Sequence, residues 1–215
     1  MSFYDRFGKR TLDLALGGLV ALITSPLHAL CAAAIRITNG PPVYFFQERA
    51  GRDGLPFHVI KFRTMNVGTH EASGGYPHSD AVTPVGHWLR RTSLDELPQL
   101  WNILRGEMSF VGPRPGLMSQ AVRYTDVQRR RLSVRPGLTG LAQIEGRNSE
   151  PWSRRIEADI RYLSRISLRE DLRIIFRTIP AALVGSGQEV GQTAEEVDDL
   201  SPVRLAPPGW PYRHG

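Results

Sequence analysis

The segment "LALGGLVALITSPLHALCAAAI", residues 14–35, decides the fold, because its 22 consecutive residues carry no formal charge. As a straight α-helix, a segment of this length reaches ~33 Å, which is about the thickness of the hydrocarbon core of a bilayer. The segment therefore predicts a helix that lies in a membrane.

The middle of this segment contains Ser25-Pro26, and an interior proline removes a backbone hydrogen bond and bends or breaks a helix. The flanks are equally basic, with three cationic residues on each side: Arg6, Lys9, Arg10 and Arg36, Arg49, Arg52. A spanning helix normally has a Lys/Arg excess on one side only. We therefore favour a re-entrant hairpin that breaks at Ser25-Pro26, with Lys9 and Arg10 anchored at the membrane surface. A kinked spanning helix and a secretory signal cleaved near Cys31–Ala34 are the alternatives.

The composition describes an ordinary folded domain with a basic surface. The chain has 215 residues, a formal net charge of +6 and a single cysteine, Cys31. Its cations are almost all arginines, since Lys9 and Lys61 are the only lysines. The arginine fork matches phosphate oxygens two at a time, which suits a nucleic acid, an anionic membrane or a phosphorylated small molecule. One cysteine excludes an internal disulfide and favours a reducing compartment.

The stretch after the apolar segment predicts a β-hairpin. Val43–Glu48 and Pro56–Met65 are rich in β-branched and aromatic residues, and they flank the turn sequence "AGRDG". Asn66–Pro84 is polar and without periodicity, so we expect a loop there.

Three stretches then place apolar residues at helical spacing: Leu97–Leu104, Trp152–Ser164 and Leu168–Leu183. Such amphipathic helices usually face a core, but beside a membrane segment some of them can lie in the interface. The hairpin and these helices together predict an α+β fold.

The acid pair Asp95–Glu96 lies in "TSLDELPQLWNILRG", residues 92–106. Ser93 and Glu96 fit a capping box, and the same pattern recurs in "SLRED", residues 167–171, where we expect a cap and no chemistry. On the pair alone, a helix cap is the simpler interpretation.

Pro98 moves the expected helix start towards Asp95, because a proline is tolerated in the first turn of a helix. A carboxylate at a helix N-terminus is expected to have a low pKa and to be ionised at pH 7, so it can act as a nucleophile without a base. Adjacent helical residues diverge by ~100°, so Asp95 and Glu96 are expected to have different tasks, one attacking phosphorus and the other binding a metal or handling a proton.

Cationic and amide side chains near this pair are candidate phosphate ligands. In "GEMSFVGPRPG", Arg114 stands between two prolines, which stiffen the backbone and suit a residue that holds a phosphate. The full set of candidates is Lys61, Arg63, Arg90, Arg114, Gln143, Arg147 and Asn148. Each of them alone is more often a solvated surface group.

Four motifs in order carry a family resemblance: "KRTLDLALGGLVALITSPLHAL", "VYFFQERAGRDGLPFHVIKFRTM", "LRRTSLDELPQLWNILRGEMSFVGPRP" and "VRPGLTGLAQIEGRN". Over residues 4–183 the chain resembles the bacterial sugar transferases known as monotopic phosphoglycosyl transferases. Glu145 departs from the pattern, because members often carry Asn there.

The resemblance implies that the chain transfers a sugar 1-phosphate from a UDP-sugar to a polyprenyl phosphate and requires Mg²⁺. It implies that Asp95 is the nucleophile, that Glu96 is the second acid, with both near the metal, and that Arg114 contacts phosphate. It also implies a re-entrant helix at residues 1–40, a catalytic domain at 41–184 and a location on the cytoplasmic face of the bacterial inner membrane. The Pro-rich residues 185–215 match no part of the family and are expected to be disordered or loosely docked.

The rival interpretation is a membrane-anchored basic module that binds anionic lipid or nucleic acid. It depends on the net charge and on the run Arg129-Arg130-Arg131. The aromatic residues are not interleaved with the cations as a base-stacking surface requires, so we expect no nucleic-acid partner.

Overall fold

The computed structural model of the protein describes residues 4–69, 81–146, 150–183, 198–203, 205 and 210. Within these ranges the chain combines α-helices with two small sheets, which confirms the α+β prediction. The helices are α1 (Lys9–Thr38), α2 (Pro84–Arg91), α3 (Gln99–Arg105), α4 (Met118–Ala121), α5 (Asp126–Arg129), α6 (Leu141–Glu145), α7 (Trp152–Leu163) and α8 (Leu168–Leu183). The strands are β1 (Tyr44–Ala50), β2 (Pro56–Phe62), β3 (Ser109–Val111) and β4 (Gly137–Thr139).

The apolar segment forms one continuous helix with Pro26 inside it, so no interruption of the helix marks Ser25-Pro26. The re-entrant arrangement stays a prediction. Pro26 lacks the N–H that would bond to the carbonyl of Leu22, and the Ser25 hydroxyl donates to that same carbonyl at 2.8 Å. The hydroxyl replaces the missing donor, and the helix passes through the proline without an unsatisfied carbonyl.

Helix α1 packs along the catalytic domain on one side and leaves its other side exposed. Val20 and Ala21 contact the cluster that contains Leu100 and Ile103 of α3. Further along, Cys31 and other residues of α1 pack with a second buried cluster, formed with β2 and α2. By length and composition α1 can cross a membrane, and it is the one such helix among the described residues.

The β-hairpin and the later amphipathic helices form as predicted. Strands β1 and β2 pair antiparallel from Tyr44 opposite Phe62 to Ala50 opposite Pro56. Strands β3 and β4 pair in parallel. In the chain, β3 is followed by α4, and β4 is followed by α6. Helices α7 and α8 pack beside them, with Ile156 and Ile174 fully buried in two further clusters.

Helix α8 presents an apolar stripe that the domain does not cover. Leu168, Leu172, Phe176 and Ile179 are exposed, although their spacing is that of a core-facing stripe. The expectation that this stripe faces the core is therefore wrong for these four residues. An exposed apolar stripe on a helix is typical of an interfacial helix beside a membrane.

The described residues of the tail are docked on the domain. Asp198 forms an ion pair with Arg123, and Leu200 is buried in the core cluster beside α4 and α7. The indole of Trp210 packs so closely on Gly54 that the glycine has no room for a Cβ. These residues are held more firmly than the composition of the tail predicts.

Candidate active site

The acid pair lies in a short 3₁₀ turn, Leu94–Glu96, which we call the acid turn. Helix α3 begins only at Gln99, after Pro98. Ser93 has a left-handed backbone, with φ 57° and ψ 15°, and within the described residues its side chain caps no helix. An N-cap serine needs extended backbone, so the predicted capping box at Ser93 is wrong.

Apolar neighbours on both sides of the pair hold the acid turn in place. Leu94 and Leu97 pack against the cluster that contains Cys31 and Ile35 of α1, together with Phe62 of β2. The acid turn therefore packs directly on the apolar helix.

Asp95 is buried and incompletely paired. Its side chain has a charged neighbour in Lys61, whose Nζ lies 3.9 Å from Asp95 Oδ2. The other oxygen, Oδ1, is buried and has no hydrogen-bond partner within the described ranges. Burial raises the pKa of Asp95 to about 6, and the nearby cations Lys61, Arg90 and Arg114 limit that rise. The expected low pKa is therefore wrong, because desolvation outweighs the helix terminus that the sequence indicated.

Glu96 is held by two cations. Its Oε1 accepts from Lys61 Nζ at 2.7 Å and from Arg114 NH2 at 2.6 Å. Burial opposes ionisation, but the charges of Arg114 and Lys61 outweigh it and hold the pKa of Glu96 well below its usual range. Glu96 is thus ionised at neutral pH, and it positions both cations beside Asp95.

Arg90 completes the group of cations. Its Nε donates to the Thr64 hydroxyl at 2.8 Å, and its charge acts on Asp95. Burial lowers the pKa of Arg90, an effect that Asp95 partly offsets. Three cations therefore face two carboxylates, which leaves one positive charge available for an anionic ligand. Thr64 was missed in the sequence, since a lone threonine just after a strand carries no signal.

The other predicted ligands take different positions. Arg63 NH2 donates to the carbonyl oxygens of Asn39 and Gly40, so Arg63 closes the end of α1 instead of pairing with the acids. Gln143 Nε2 donates to Leu138 O at 3.3 Å, while its Oε1 is buried without a partner in the described part of the chain. Arg147 and Asn148 lie outside the described residues.

Lys9 and Arg10, expected at the membrane surface, both bind groups of the domain, Lys9 as a buried and Arg10 as a partly buried side chain. Lys9 Nζ contacts Asp171 Oδ2 at 2.5 Å and Tyr162 OH at 3.0 Å. Arg10 donates to the carbonyls of Ile103 and Leu104 at the end of α3. Both side chains therefore anchor α1 to the domain, because they satisfy a buried carboxylate and the carbonyls that end α3.

The acid turn fits a divalent cation such as Mg²⁺. No cluster of three or more His, Cys, Asp or Glu side chains occurs among the described residues. Mg²⁺ does not require one, since it is commonly bound by one or two carboxylates together with substrate phosphates. The unpartnered Oδ1 of Asp95, next to the Glu96 carboxylate, supplies oxygen ligands of that kind.

Sequence comparison identifies the family. The profile described as bacterial sugar transferase matches residues 4–185. The chain belongs to the bacterial sugar transferase family. It is therefore a transferase of the phosphoglycosyl transferase class, and the predicted resemblance is confirmed. The acid turn, Lys61, Arg90 and Arg114 all lie within the matched range.

Curated relatives agree with this assignment. The sugar transferase EpsL of Bacillus subtilis is 41% identical over 179 residues, covering 83% of this chain and 89% of EpsL. The exopolysaccharide production protein ExoY of Rhizobium meliloti is 39% identical over 196 residues, covering 83% of this chain and 87% of ExoY. A UDP-glucose:undecaprenyl-phosphate glucose-1-phosphate transferase of Caulobacter vibrioides is 41% identical over 185 residues, covering 81% of this chain and 69% of the relative. Other relatives are longer, and the chain spans 41–42% of them.

The rival interpretation as a basic binding module loses its main support. Arg131 of the arginine run is buried and paired with Asp159, and Arg129 pairs with Asp126 at the start of α5. The run is therefore not one continuous cationic surface.

Proposed function

We propose that this protein transfers a sugar 1-phosphate from a UDP-sugar to a polyprenyl phosphate through a covalent intermediate on Asp95. The observation that carries the proposal is the buried Asp95 carboxylate, whose Oδ1 has no partner in the described residues while three cations surround it. The relatives' names support a UDP-sugar donor, an undecaprenyl phosphate acceptor and a role in exopolysaccharide production. The proposed transfer initiates the assembly of a glycoconjugate, such as an exopolysaccharide or an O-antigen.

The reaction consists of two displacements at one phosphorus atom. An Asp95 oxygen first attacks the phosphorus that bears the sugar, and the bond from this phosphorus to the bridging oxygen breaks. UMP leaves with that electron pair. An oxygen of the polyprenyl phosphate then attacks the same phosphorus and forms the diphosphate linkage, which releases the Asp95 carboxylate. With a pKa of about 6, Asp95 is mostly ionised at neutral pH and needs no base to activate it.

The cations are arranged for charge that accumulates when two phosphates meet. Lys61 and Arg114 are fixed on Glu96 Oε1, so their remaining donors can face a phosphate beside Asp95. A bound Mg²⁺ at Asp95 and Glu96 would neutralise phosphate charge and polarise the bond that breaks. Arginine and lysine groups that are already in place need no reorganisation during the reaction.

We further propose that the protein is monotopic and sits on the cytoplasmic face of the inner membrane. Both ends of α1 bind polar groups of the same domain: Lys9 binds Asp171, and Asn39 Nδ2 donates to the Thr83 hydroxyl at 2.9 Å. A helix that spans the bilayer would place these groups on opposite faces. The exposed apolar stripe of α8 supports a domain that lies on the membrane surface, where the phosphate of a lipid acceptor is found.

Covalent trapping tests the proposed chemistry. The purified protein is incubated with radiolabelled UDP-sugars and Mg²⁺ but without lipid acceptor, and the adduct is located by peptide mass spectrometry. We expect a phosphosugar on Asp95, none in Asp95→Asn, and an unchanged adduct in the control Glu170→Gln, which alters an acid of "SLRED" that lies outside the proposed site. An adduct that persists in Asp95→Asn would overturn the assignment of the nucleophile.

Cysteine labelling tests the proposed topology. Single cysteines replace Ser2 and Arg52 in a Cys31→Ala background, and a membrane-impermeant thiol reagent is added to sealed vesicles of known orientation. A monotopic protein exposes both cysteines on the same face. Labelling of the two positions from opposite faces would show that α1 spans the membrane.

A further inference from the structure

A buried ion pair behind Arg114 has no part in the chemistry described above. Arg131 and Asp159 are each about 1% exposed at the side chain, and Arg131 Nε and NH2 contact Asp159 Oδ2 at 2.9 and 2.6 Å. The run Arg129-Arg130-Arg131 gave no sign of this role, because the partner carboxylate lies 28 residues away in the sequence.

The guanidinium of Arg131 is fixed on several sides. Its NH1 donates to the Tyr124 hydroxyl at 2.6 Å, and its carbon lies 5.5 Å and 5.7 Å from the ring centroids of Tyr124 and Trp152. Its NH2 has a second acceptor, the main-chain oxygen of Arg114, at 2.6 Å. An arginine fork held in this way cannot shift without breaking several contacts together.

The segment that Arg131 holds is the one that aims the Arg114 side chain. Pro113 and Pro115 restrict its backbone on both sides, and Ala50 N–H donates to Gly116 O at 3.0 Å. A Cβ on Gly116 would lie 2.5 Å from the Tyr124 hydroxyl, so this turn is seated directly on the group that binds Arg131. Arg131 contacts the main chain of Arg114, and the Arg114 side chain donates from NH2 to Glu96 Oε1.

We propose that Arg131 and Asp159 are positioning residues for phosphosugar transfer: their buried ion pair holds the carbonyl of Arg114 and thereby directs the Arg114 guanidinium at Glu96 and at the substrate phosphate. Asp159 orients Arg131, Arg131 fixes the main chain of Arg114, and Arg114 alone contacts the reacting groups. This inference depends on the proposed function, since it assigns residues to that reaction.

A double-mutant cycle in kcat/KM separates positioning from general structural support. We expect Arg131→Lys, which keeps the charge but cannot reach Asp159 and Arg114 O together, to lower kcat/KM by ~10–100-fold, the scale of a small misplacement of a catalytic group. Arg114→Lys is expected to lower it at least as much. The kcat/KM of the double variant is expected to lie within about threefold of that of Arg114→Lys alone. In both variants the Arg114 guanidinium is absent, so Arg131 has nothing to position.

A matched control comes from a second buried ion pair, Lys9–Asp171. Asp171→Asn removes the partner of Lys9, in a cluster that does not contact Arg114, and its effect should multiply with that of Arg114→Lys. Tyr124→Phe, which removes only the hydrogen bond to Arg131 NH1, gives a milder second variant if Arg131→Lys does not fold. Circular dichroism and thermal unfolding are measured for each variant.

The outcomes are distinct. If the effects of Arg131→Lys or Tyr124→Phe multiply with that of Arg114→Lys, the pair is structural and the inference is wrong, although the proposed function stands. If the wild-type protein shows neither adduct nor turnover with any UDP-sugar, the proposed function fails and the inference fails with it.

Discussion

Two stretches of this chain begin with the same Ser-Leu pair and continue into acids, yet they form opposite environments. In residues 93–96, Asp95 is buried with one oxygen unpartnered among the described residues and its nearest cation at 3.9 Å. In residues 167–171, Asp171 is equally buried, but Oδ2 accepts from Lys9 at 2.5 Å and from Tyr4 at 2.7 Å. Its Oδ1 accepts from Tyr162 at 2.6 Å.

The serines differ as well. Ser167 accepts from Glu170 N–H at 3.3 Å and begins helix α8 as a capping residue, whereas Ser93 has left-handed backbone and makes no such cap. Asp171 is therefore an anchor whose two oxygens are both paired, whereas Asp95 keeps Oδ1 without a partner among the described residues. An unpartnered oxygen does not by itself mark a reactive acid, because Asp159 Oδ1 is also buried without a partner in the described part of the chain. Four experiments test the difference between the two stretches.

The largest expected difference is in turnover. Asp95→Asn removes the proposed nucleophile, and we expect a loss of ~10⁴-fold or more in sugar-phosphate transfer to a polyprenyl phosphate. Asp171→Asn, assayed below its melting temperature, is expected within about tenfold of the wild type. The comparison breaks if the two variants lose activity to a similar extent while both remain folded.

The second difference is in stability, with opposite signs. Asp171→Asn leaves Lys9 buried without its counter-ion, which is expected to cost about 3–5 kcal/mol in the free energy of unfolding. Asp95→Asn removes a charge that burial disfavours, and we expect a gain of roughly 1–3 kcal/mol at pH 7. Urea unfolding of the detergent-solubilised variants measures both values, and a destabilised Asp95→Asn would contradict the second.

The pH dependence follows from the raised pKa of Asp95, which is about 6 in the folded protein. Adduct formation needs the ionised carboxylate, so its rate is expected to fall about tenfold between pH 7 and pH 5. Because the folded state binds this proton more tightly than the unfolded chain, the ionised Asp95 destabilises the fold above pH 6, and this destabilisation is progressively lost as pH falls from about 6 towards the ordinary value for Asp. Single-turnover rates against pH check the first effect, and Lys61→Met should move their midpoint upwards. A midpoint near the ordinary value for Asp would show that Asp95 is not desolvated.

The smallest expected difference concerns the two serines. Ser167→Ala removes the side-chain acceptor at the start of α8 and should cost about 1 kcal/mol. Ser93→Gly relieves a positive φ and should be neutral or stabilising by up to ~1 kcal/mol. Thermal unfolding of the two variants compares them, and equal losses would mean that Ser93 also acts as a cap.

Much of the local structure was predictable from the sequence. The β-hairpin and the three amphipathic helices follow from residue type and spacing alone. Asp95 and Glu96 became candidates because they stand with Pro98 and Arg114 in an ordered set of motifs. Arg63, Lys9 and Arg10 were assigned to the wrong partners, because a cation in a sequence does not reveal which carboxylate or carbonyl it will contact. Arg131 was missed for the same reason.

Patterns between near neighbours along the chain were enough to predict the apolar helix, the hairpin, the amphipathic helices and the family. The ionisation and pairing of each acid could be read only from the folded structure. Desolvation and charge pairing depend on groups that folding brings together, such as Lys61 beside Glu96 or Lys9 beside Asp171. Two similar stretches of sequence thus contain acids in different states: Asp171 is fully paired and anchors α1, whereas Asp95 has an oxygen without a partner among the described residues.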